Sequence, residues 1–253
     1  MRPVKVGVAG KGGSGKSVLA CLIAKSMAKR GLEVLLVDAD ESNRGLYRML
    51  GLQAPPRPFM EELGGRPSLK EKMGQGEVID GDAVELSSLR PPFIAEADGV
   101  KLLVVGKVAG FAEGCACPMG VLSRELLLKL KLRDGQAVVV DLEAGLEHLG
   151  RAVDEGLDVL VVVAEPSYES FMVAKEAVEM ARKAGLERTL VVLNKVRAEE
   201  APKLKEALAK VGVEAAGVVR FDPLIFQSCL EGRGVEAGEA MEDVEDLASK
   251  ILS

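Results

Sequence analysis

The sequence predicts an α/β protein in which a mostly parallel sheet of about seven or eight strands carries helices on both faces. Two observations lead there. Short β-branched runs alternate with helical patterns along the chain, and the first of those runs passes through a glycine-rich loop straight into an apolar-periodic helix. At 253 residues the chain fits one domain, 1–253, with enough length to bury a substantial core.

The runs that read as strands are Val4 to Ala9, Glu33 to Asp38, Lys101 to Val105, Ala137 to Asp141, Asp158 to Ala164, Thr189 to Leu193 and Ala215 to Arg220. Helices are expected at Ser17 to Arg30, Val121 to Leu132, Leu149 to Glu155, Ser167 to Ala184, Pro202 to Val211 and Glu239 to Leu252. Over about 52–100 the pattern dissolves, and six of the eleven prolines fall there, so this stretch reads as an irregular surface excursion with short helical pieces. Ligands of such sheets collect at the carboxyl ends of the strands.

The loop after the first strand, Gly10 Lys11 Gly12 Gly13 Ser14 Gly15 Lys16 Ser17, has the spacing of a phosphate loop and the strand and helix on either side that the pattern requires. Its glycines let backbone N–H groups curl around a polyphosphate. The helix that follows, with Val18 in its first turn, aims its positive end at the same point. Lys16 adds a full charge, and Ser17 is placed to ligate Mg²⁺. The chemistry also needs a carboxylate at the end of a neighbouring strand. Asp38 with Asp40 and, separately, Asp141 stand at such positions. Asp141 would hold the magnesium hydration shell, and Gly145 would turn its N–H toward the terminal phosphate as a nucleotide-sensing switch. Asp40 would sit on the magnesium side and orient or activate the attacking water.

Composition narrows the partners. A net charge of −6, with acidic and basic residues interspersed, disfavours a nucleic-acid or anionic-membrane surface. No apolar run approaches the roughly 20 residues that cross a bilayer, and the first residues lead directly into a strand, so a cytoplasmic protein is expected. Cys115 and Cys117 stand two positions apart in a glycine-flanked turn ahead of a helix, a setting that favours the metal-binding thiolate. Cys21 and Cys229 lie on apolar helical patterns and read as core, and Tyr168 reads as a packing residue.

Lys11 is unusual, because a lysine so early in the loop is poorly placed to fold back on its own nucleotide. With Gly10 Lys11 Gly12 Gly13 and the Asp38 Ala39 Asp40 pair, the chain resembles the deviant phosphate-loop ATPases, which include MinD-like and ParA-like proteins and nitrogenase iron proteins. The resemblance implies that Lys11 reaches the phosphates of a second copy across an ATP-dependent homodimer, acting in catalysis with Lys16 and Asp40. Two thiols do not complete a four-coordinate site for a soft metal, but two subunits on a two-fold axis supply four.

Together with Glu147 His148 Leu149, Glu165 Pro166 and Asn194 Lys195 Val196 Arg197, these features are similar to the CooC-type nickel-insertion ATPases that mature carbon monoxide dehydrogenase. That resemblance implies Ni²⁺, or Zn²⁺ in its place, at Cys115 and Cys117 between subunits. It also implies ATP or ADP with Mg²⁺ at the loop, adenine contacts from Asn194, Lys195 and the backbone of Arg220, Phe221 and Asp222, and carbon monoxide dehydrogenase as client. Two positions depart from the pattern: Glu41 replaces the usual proline after Asp40, and Arg220 stands where proline is common. His148, the single histidine, reads as a hydrogen-bonding residue of the switch segment. The alternatives are an iron–sulfur electron-transfer or cluster-carrier ATPase and a positioning ATPase of the MinD or ParA kind. Those iron–sulfur relatives space their two cysteines far apart, and the segment Glu236 to Ser253 is acidic where a membrane-binding helix would be basic.

Overall fold

The computed structural model describes residues 1–41, 43–107, 117–145 and 156–253, with the backbone alone at Cys117. Ten strands are described: β1 (Val4–Gly10), β2 (Glu33–Asp38), β3 (Val84–Glu85), β4 (Ile94–Ala97), β5 (Val100–Val104), β6 (Leu130–Lys131), β7 (Gln136–Asp141), β8 (Val159–Ala164), β9 (Thr189–Val196) and β10 (Ala215–Arg220). Among the described residues the α-helices are α1 (Lys16–Lys29), α2 (Leu46–Leu50), α3 (Gly65–Gln75), α4 (Cys117–Lys129), α5 (Tyr168–Lys183), α6 (Ala201–Lys210), α7 (Pro223–Glu231) and α8 (Ala240–Leu252).

Eight strands form one sheet in the order β10-β9-β8-β1-β7-β2-β5-β4. Every neighbouring pair is parallel except β4 with β5. The inner strands are apolar on both sides because both faces are covered; all six residues of β8 are buried. Side chains alternate between two core layers. Val138 and Val140 enter the layer beneath α3, α4, α5 and α6, while Ala137 and Val139 enter the layer beneath α1, α2 and α8. Leu19, Ile23 and Met27 of α1 and Val244, Leu247 and Ile251 of α8 fill the second layer, each almost wholly removed from water.

All seven expected strands are present, and the helices that fall within the described residues start and end within four residues of expectation. The expected helix Leu149 to Glu155 lies outside the described residues. Two regions differ from expectation. The excursion 52–100 is more ordered than its prolines suggest: it contributes α3, the short β3–β6 ladder and the antiparallel edge strand β4. Glu125 of α4 pins it, accepting the N–H groups of Val78 and Ile79 at 2.8 Å each. The second difference is α7, a full helix over a stretch for which the sequence bounds no helix, although it places Cys229 on an apolar helical pattern. Among the described residues no helix is long and apolar enough to cross a membrane.

Candidate nucleotide and magnesium site

Register brings the site together. In the middle of the sheet β1 pairs with β7 and β8, so Val8 lies opposite Asp141 and Gly10 opposite Val163. On the other side of β7, Asp38 lies opposite Asp141. The loop Gly10–Ser17 leaves β1 at this carboxyl edge. A Cβ at Gly10 (φ +146°) would sit 2.3 Å from the Val163 carbonyl oxygen, and one at Gly15 (φ +96°) would sit 2.4 Å from Asn194 Nδ2, so neither position accepts a side chain. Helix α1 begins at Lys16 with Gly15 as its cap, no side chain caps it, and no acidic residue occupies its first turn. Its positive end is therefore left for an anion. The Lys16 side chain is buried, and its Nζ reaches the Lys11 carbonyl only at a long 3.5 Å.

A cavity of about 690 Å³ opens over this loop, within the range of small-molecule sites. Gly12, Gly13, Gly15, Lys16, Ser17 and Val18 line its phosphate end, with Asp40 and Ala144. Gly10, Lys11 and Ser14 do not line it; Ser14 is buried beneath the loop, and Lys11 supplies its carbonyl to Ser14 N–H at 3.2 Å. Gly145 is exposed in a left-handed conformation (φ +111°), and its neighbour Ala144 is the residue that reaches the cavity.

Three carboxylates crowd the strand ends in distinct ways. Asp141 is fully buried, and neither carboxyl oxygen has a hydrogen-bond partner. Burial pushes it up to about 7; the nearby Ser17 hydroxyl, short of hydrogen-bonding geometry, and Lys16 pull it down, while Asp38 and Asp40 push it further up. Asp40 turns to the cavity and accepts the Asn43 N–H at 3.2 Å. Asp38 turns instead to Lys107, 2.7 Å away, and burial pushes it up to about 6 against that attraction. An orphaned buried carboxylate beside a serine hydroxyl and a buried ammonium fits a hydrated Mg²⁺ that bridges to phosphates, since Mg²⁺ takes one or two protein carboxylates and fills its shell with water and phosphate oxygens. Among the described residues no group of three or more His, Cys, Asp or Glu forms a metal cage.

The other end of the cavity is apolar and less polar in its donors than expected. Asn194 lines it, with its Nδ2 bonded to the Ser14 carbonyl at 2.8 Å. Lys195, a non-glycine residue at φ +60°, lines the cavity with its Nζ on the Gly13 carbonyl. Arg220, Phe221 and Asp222 also line it, and part of their backbone is already bonded within the protein. Arg220 N–H donates to Asp243 Oδ2 (2.9 Å) and Phe221 N–H to the Val196 carbonyl (2.8 Å), while the Asp222 carbonyl accepts from Phe226. Arg220, which departs from the proline pattern, is held by Asp243, Glu239 and Glu242. What this end presents instead is apolar: Phe221, Ile225 and Phe226 line the cavity, with the Phe221 and Phe226 rings 6.2 Å apart.

Two residues, and the burial of a third, required the structure to appear. Lys107 had no motif around it. Asn43 donates to Ser17 Oγ at 2.7 Å, and its one detectable signal was rarity: the chain has two asparagines, and both bond to the phosphate loop. Glu41, noted as a departure from pattern, proves deeply buried with Oε2 unpartnered. Two expectations are corrected. Cys229 is exposed on α7 and lines the cavity, because the apolar face of that helix turns to the cavity mouth and not the core; Cys21 is buried as expected, its thiol pushed up to about 12 by burial. Tyr168, the first residue of α5, is 66% exposed and packs little. Cys115, His148 and the Glu147–Leu149 run lie outside the described residues, as does the Cys117 side chain.

Fold and cavity define a phosphate-loop ATPase. The CobQ/CobB/MinD/ParA nucleotide binding domain matches residues 6–235, and the chain belongs to that family. An uncharacterized ATP-binding protein of Methanocaldococcus jannaschii is 40% identical over 255 residues, covering 98% of this chain and 100% of that protein. The carbon monoxide dehydrogenase accessory protein CooC of Rhodospirillum rubrum is 30% identical over 197 residues, covering 76% of this chain and 74% of that one. Among solved structures, a chain of the MinC:MinD cell division protein complex of Aquifex aeolicus superimposes with a TM-score of 0.70 at 19% identity (98% of this chain and 95% of that one covered). MinD of Pyrococcus horikoshii complexed with Mg-ADP gives 0.66 at 18% identity (99% and 96% covered).

Proposed function

We propose that this ATPase is a nucleotide-gated nickel carrier of the cytoplasm. Two copies close on ATP, hold Ni²⁺ between their Cys115 and Cys117 thiolates, and deliver it to carbon monoxide dehydrogenase during maturation. The observation that carries the reading is the 30% identity to a carbon monoxide dehydrogenase accessory protein in a chain that itself contains the paired thiols. Soft thiolates suit nickel or zinc, and a two-fold axis turns two ligands into four.

In each copy the glycine loop and the first turn of α1 cradle the triphosphate, and Lys16 neutralises it from a site already shielded from water. Ser17 and Asp141 would hold Mg²⁺, which neutralises charge developing on the phosphate oxygens. Asp40 orients the attacking water. Lys11, outside its own cavity, extends to the partner's phosphates. Asp141 and Gly145 register the terminal phosphate and transmit its loss toward the thiol loop, so that nucleotide and metal affinities are linked reciprocally.

Titrating Ni²⁺ and Zn²⁺ into the protein with and without ATP, alongside light scattering, tests this. The expected result is one metal per two chains with affinity that depends on nucleotide. Changing both Cys115→Ser and Cys117→Ser should abolish metal binding and leave ATP binding intact. Unchanged nickel stoichiometry in the double variant would put the site elsewhere, and a brown, iron-containing protein from anaerobic purification would favour the electron-transfer alternative.

A further inference from the structure

Lys107 lies three residues beyond the end of β5, and its ammonium is the convergence point of the segment that follows β2. It donates to Asp38 Oδ1 at 2.7 Å and to the backbone carbonyls of Asp40 and Asn43. These three bonds use all three of its donors. The two side chains are 18% and 3% exposed, so the contact is largely out of solvent.

The bonds hold the backbone at Asp40 and at Asn43, two residues whose side chains line the nucleotide cavity. There Asp40 Oδ1 accepts the Asn43 N–H at 3.2 Å, Asn43 Oδ1 accepts from Gly45 N–H at 2.9 Å, and Asn43 Nδ2 donates to Ser17 Oγ at 2.7 Å. A continuous path of hydrogen bonds thus runs from Lys107, through the backbone of Asp40 and Asn43, to the serine of the phosphate loop. The segment is also sewn to the sheet from both sides: Val105 N–H donates to the Asp38 carbonyl (3.0 Å) and Ala39 N–H to the Asp141 carbonyl (3.1 Å).

We propose that Lys107 is a positioning residue for ATP hydrolysis, fixing the backbone of Asp40 and Asn43 so that the Asp40 carboxylate and the Asn43–Ser17 contact are set relative to the phosphates. The inference rests on the reading of Asp40 as the residue that orients water. Lys107 does not line the nucleotide cavity; with Asp38 it lines a neighbouring pocket instead. A displacement of about 1 Å in a positioning element costs on the order of 100-fold in rate.

The experiment compares steady-state ATP hydrolysis and binding of a fluorescent ATP analogue in the wild type, Lys107→Met, Lys107→Arg and Asp40→Ala. The expected result is a kcat about 10- to 100-fold lower in both Lys107 variants, with KM and analogue affinity within about threefold of wild type. Lys107→Arg separates geometry from charge, because a planar guanidinium does not converge on three acceptors as an ammonium does. It also keeps the test open should Lys107→Met fail to fold. Wild-type kcat in Lys107→Arg, or a loss of kcat tracked by an equal loss of analogue binding, overturns the proposal. If Asp40→Ala hydrolyses normally, the reading of Asp40 falls and this inference with it. If Asp40→Ala stalls while the Lys107 variants turn over normally, only the role of Lys107 is lost.

Discussion

At the phosphate end of the cavity, Asp38, Glu41 and Asp141 are buried and pushed up to about 6, 7 and 7. At the base end Asp222, just as inaccessible, is held below its ordinary value. Burial opposes the charge at both ends; the difference is what faces it. Asp222 accepts four backbone N–H groups, from Leu224, Ile225, Gly238 and Ala240, which outweigh its desolvation. It caps α7 and ties it to the approach to α8. Asp141 and Glu41 instead have unpartnered oxygens, as do the buried hydroxyls of Ser14 and Ser26 among the described residues. The satisfied Asp222 builds structure, whereas the bare oxygens of Asp141 suit the magnesium position, at a cost in stability.

The sharpest break in this comparison comes from the cation of the phosphate end. Lys16 is buried without a close acceptor, so its charge is spent only when phosphate arrives. Lys16→Ala should weaken ATP binding by on the order of 100-fold, as expected for loss of a charge-assisted bond in a shielded site, while leaving the melting temperature near wild type. Calorimetric titration with Mg-ATP measures it. Binding within threefold of wild type would mean that the phosphate end is not what its geometry suggests.

Asp222 gives the opposite pattern. Asp222→Ala removes the N-cap of α7 and leaves the Gly238 and Ala240 N–H groups without acceptors, at a cost of about 2–4 kcal/mol in stability. Urea unfolding reads it directly. The sign of the pH dependence follows: because the folded value lies below the unfolded one, this stability is present above about pH 4 and is lost as pH falls below it. A variant as stable as wild type would remove the distinction between the two ends.

The two ends also differ in how far the sequence reveals them. The phosphate end is local: Gly10 to Ser17 lie within one strand–loop–helix unit, and Asp38 and Asp141 end β-branched runs that register then brings together. Spacing alone is enough there. The base end depends on tertiary placement. Whether Arg220 and Phe221 have N–H groups to offer depends on Asp243 and Val196, and no local pattern shows that those donors are already used. Helix α7 shows only as an apolar pattern around Cys229 for a related reason: Leu224, Phe226 and Leu230 remain exposed, so its apolar residues do not mark a core-facing stripe. Lys107 falls between these cases, since a lone lysine after a strand signals nothing until the fold closes around it.

Glu41 tests the comparison at its smallest expected effect. It replaces a proline pattern, is 6% exposed, and is pushed up to about 7 by burial first and by Glu143 next, against Arg66 and Lys107. A folded value raised above the ordinary 4.5 means that the folded state holds the proton more tightly. Its contribution to stability is therefore fully present below about pH 4.5 and is lost as pH rises through 7. Above that, the protein carries a buried charged carboxylate whose Oε2 is unpartnered. Glu41→Gln keeps the shape and removes the charge, so it should stabilise the nucleotide-free protein at pH 8 by on the order of 1 kcal/mol, a few degrees in melting temperature. The gain should vanish near pH 4.5, where both side chains are neutral, so paired melts at the two pH values isolate the charge from packing. A variant no more stable than wild type at pH 8 would show that Glu41 is compensated in the folded state after all. The unsatisfied carboxylates would then reduce to Asp141, and the stability cost of the phosphate end would rest on the magnesium position alone.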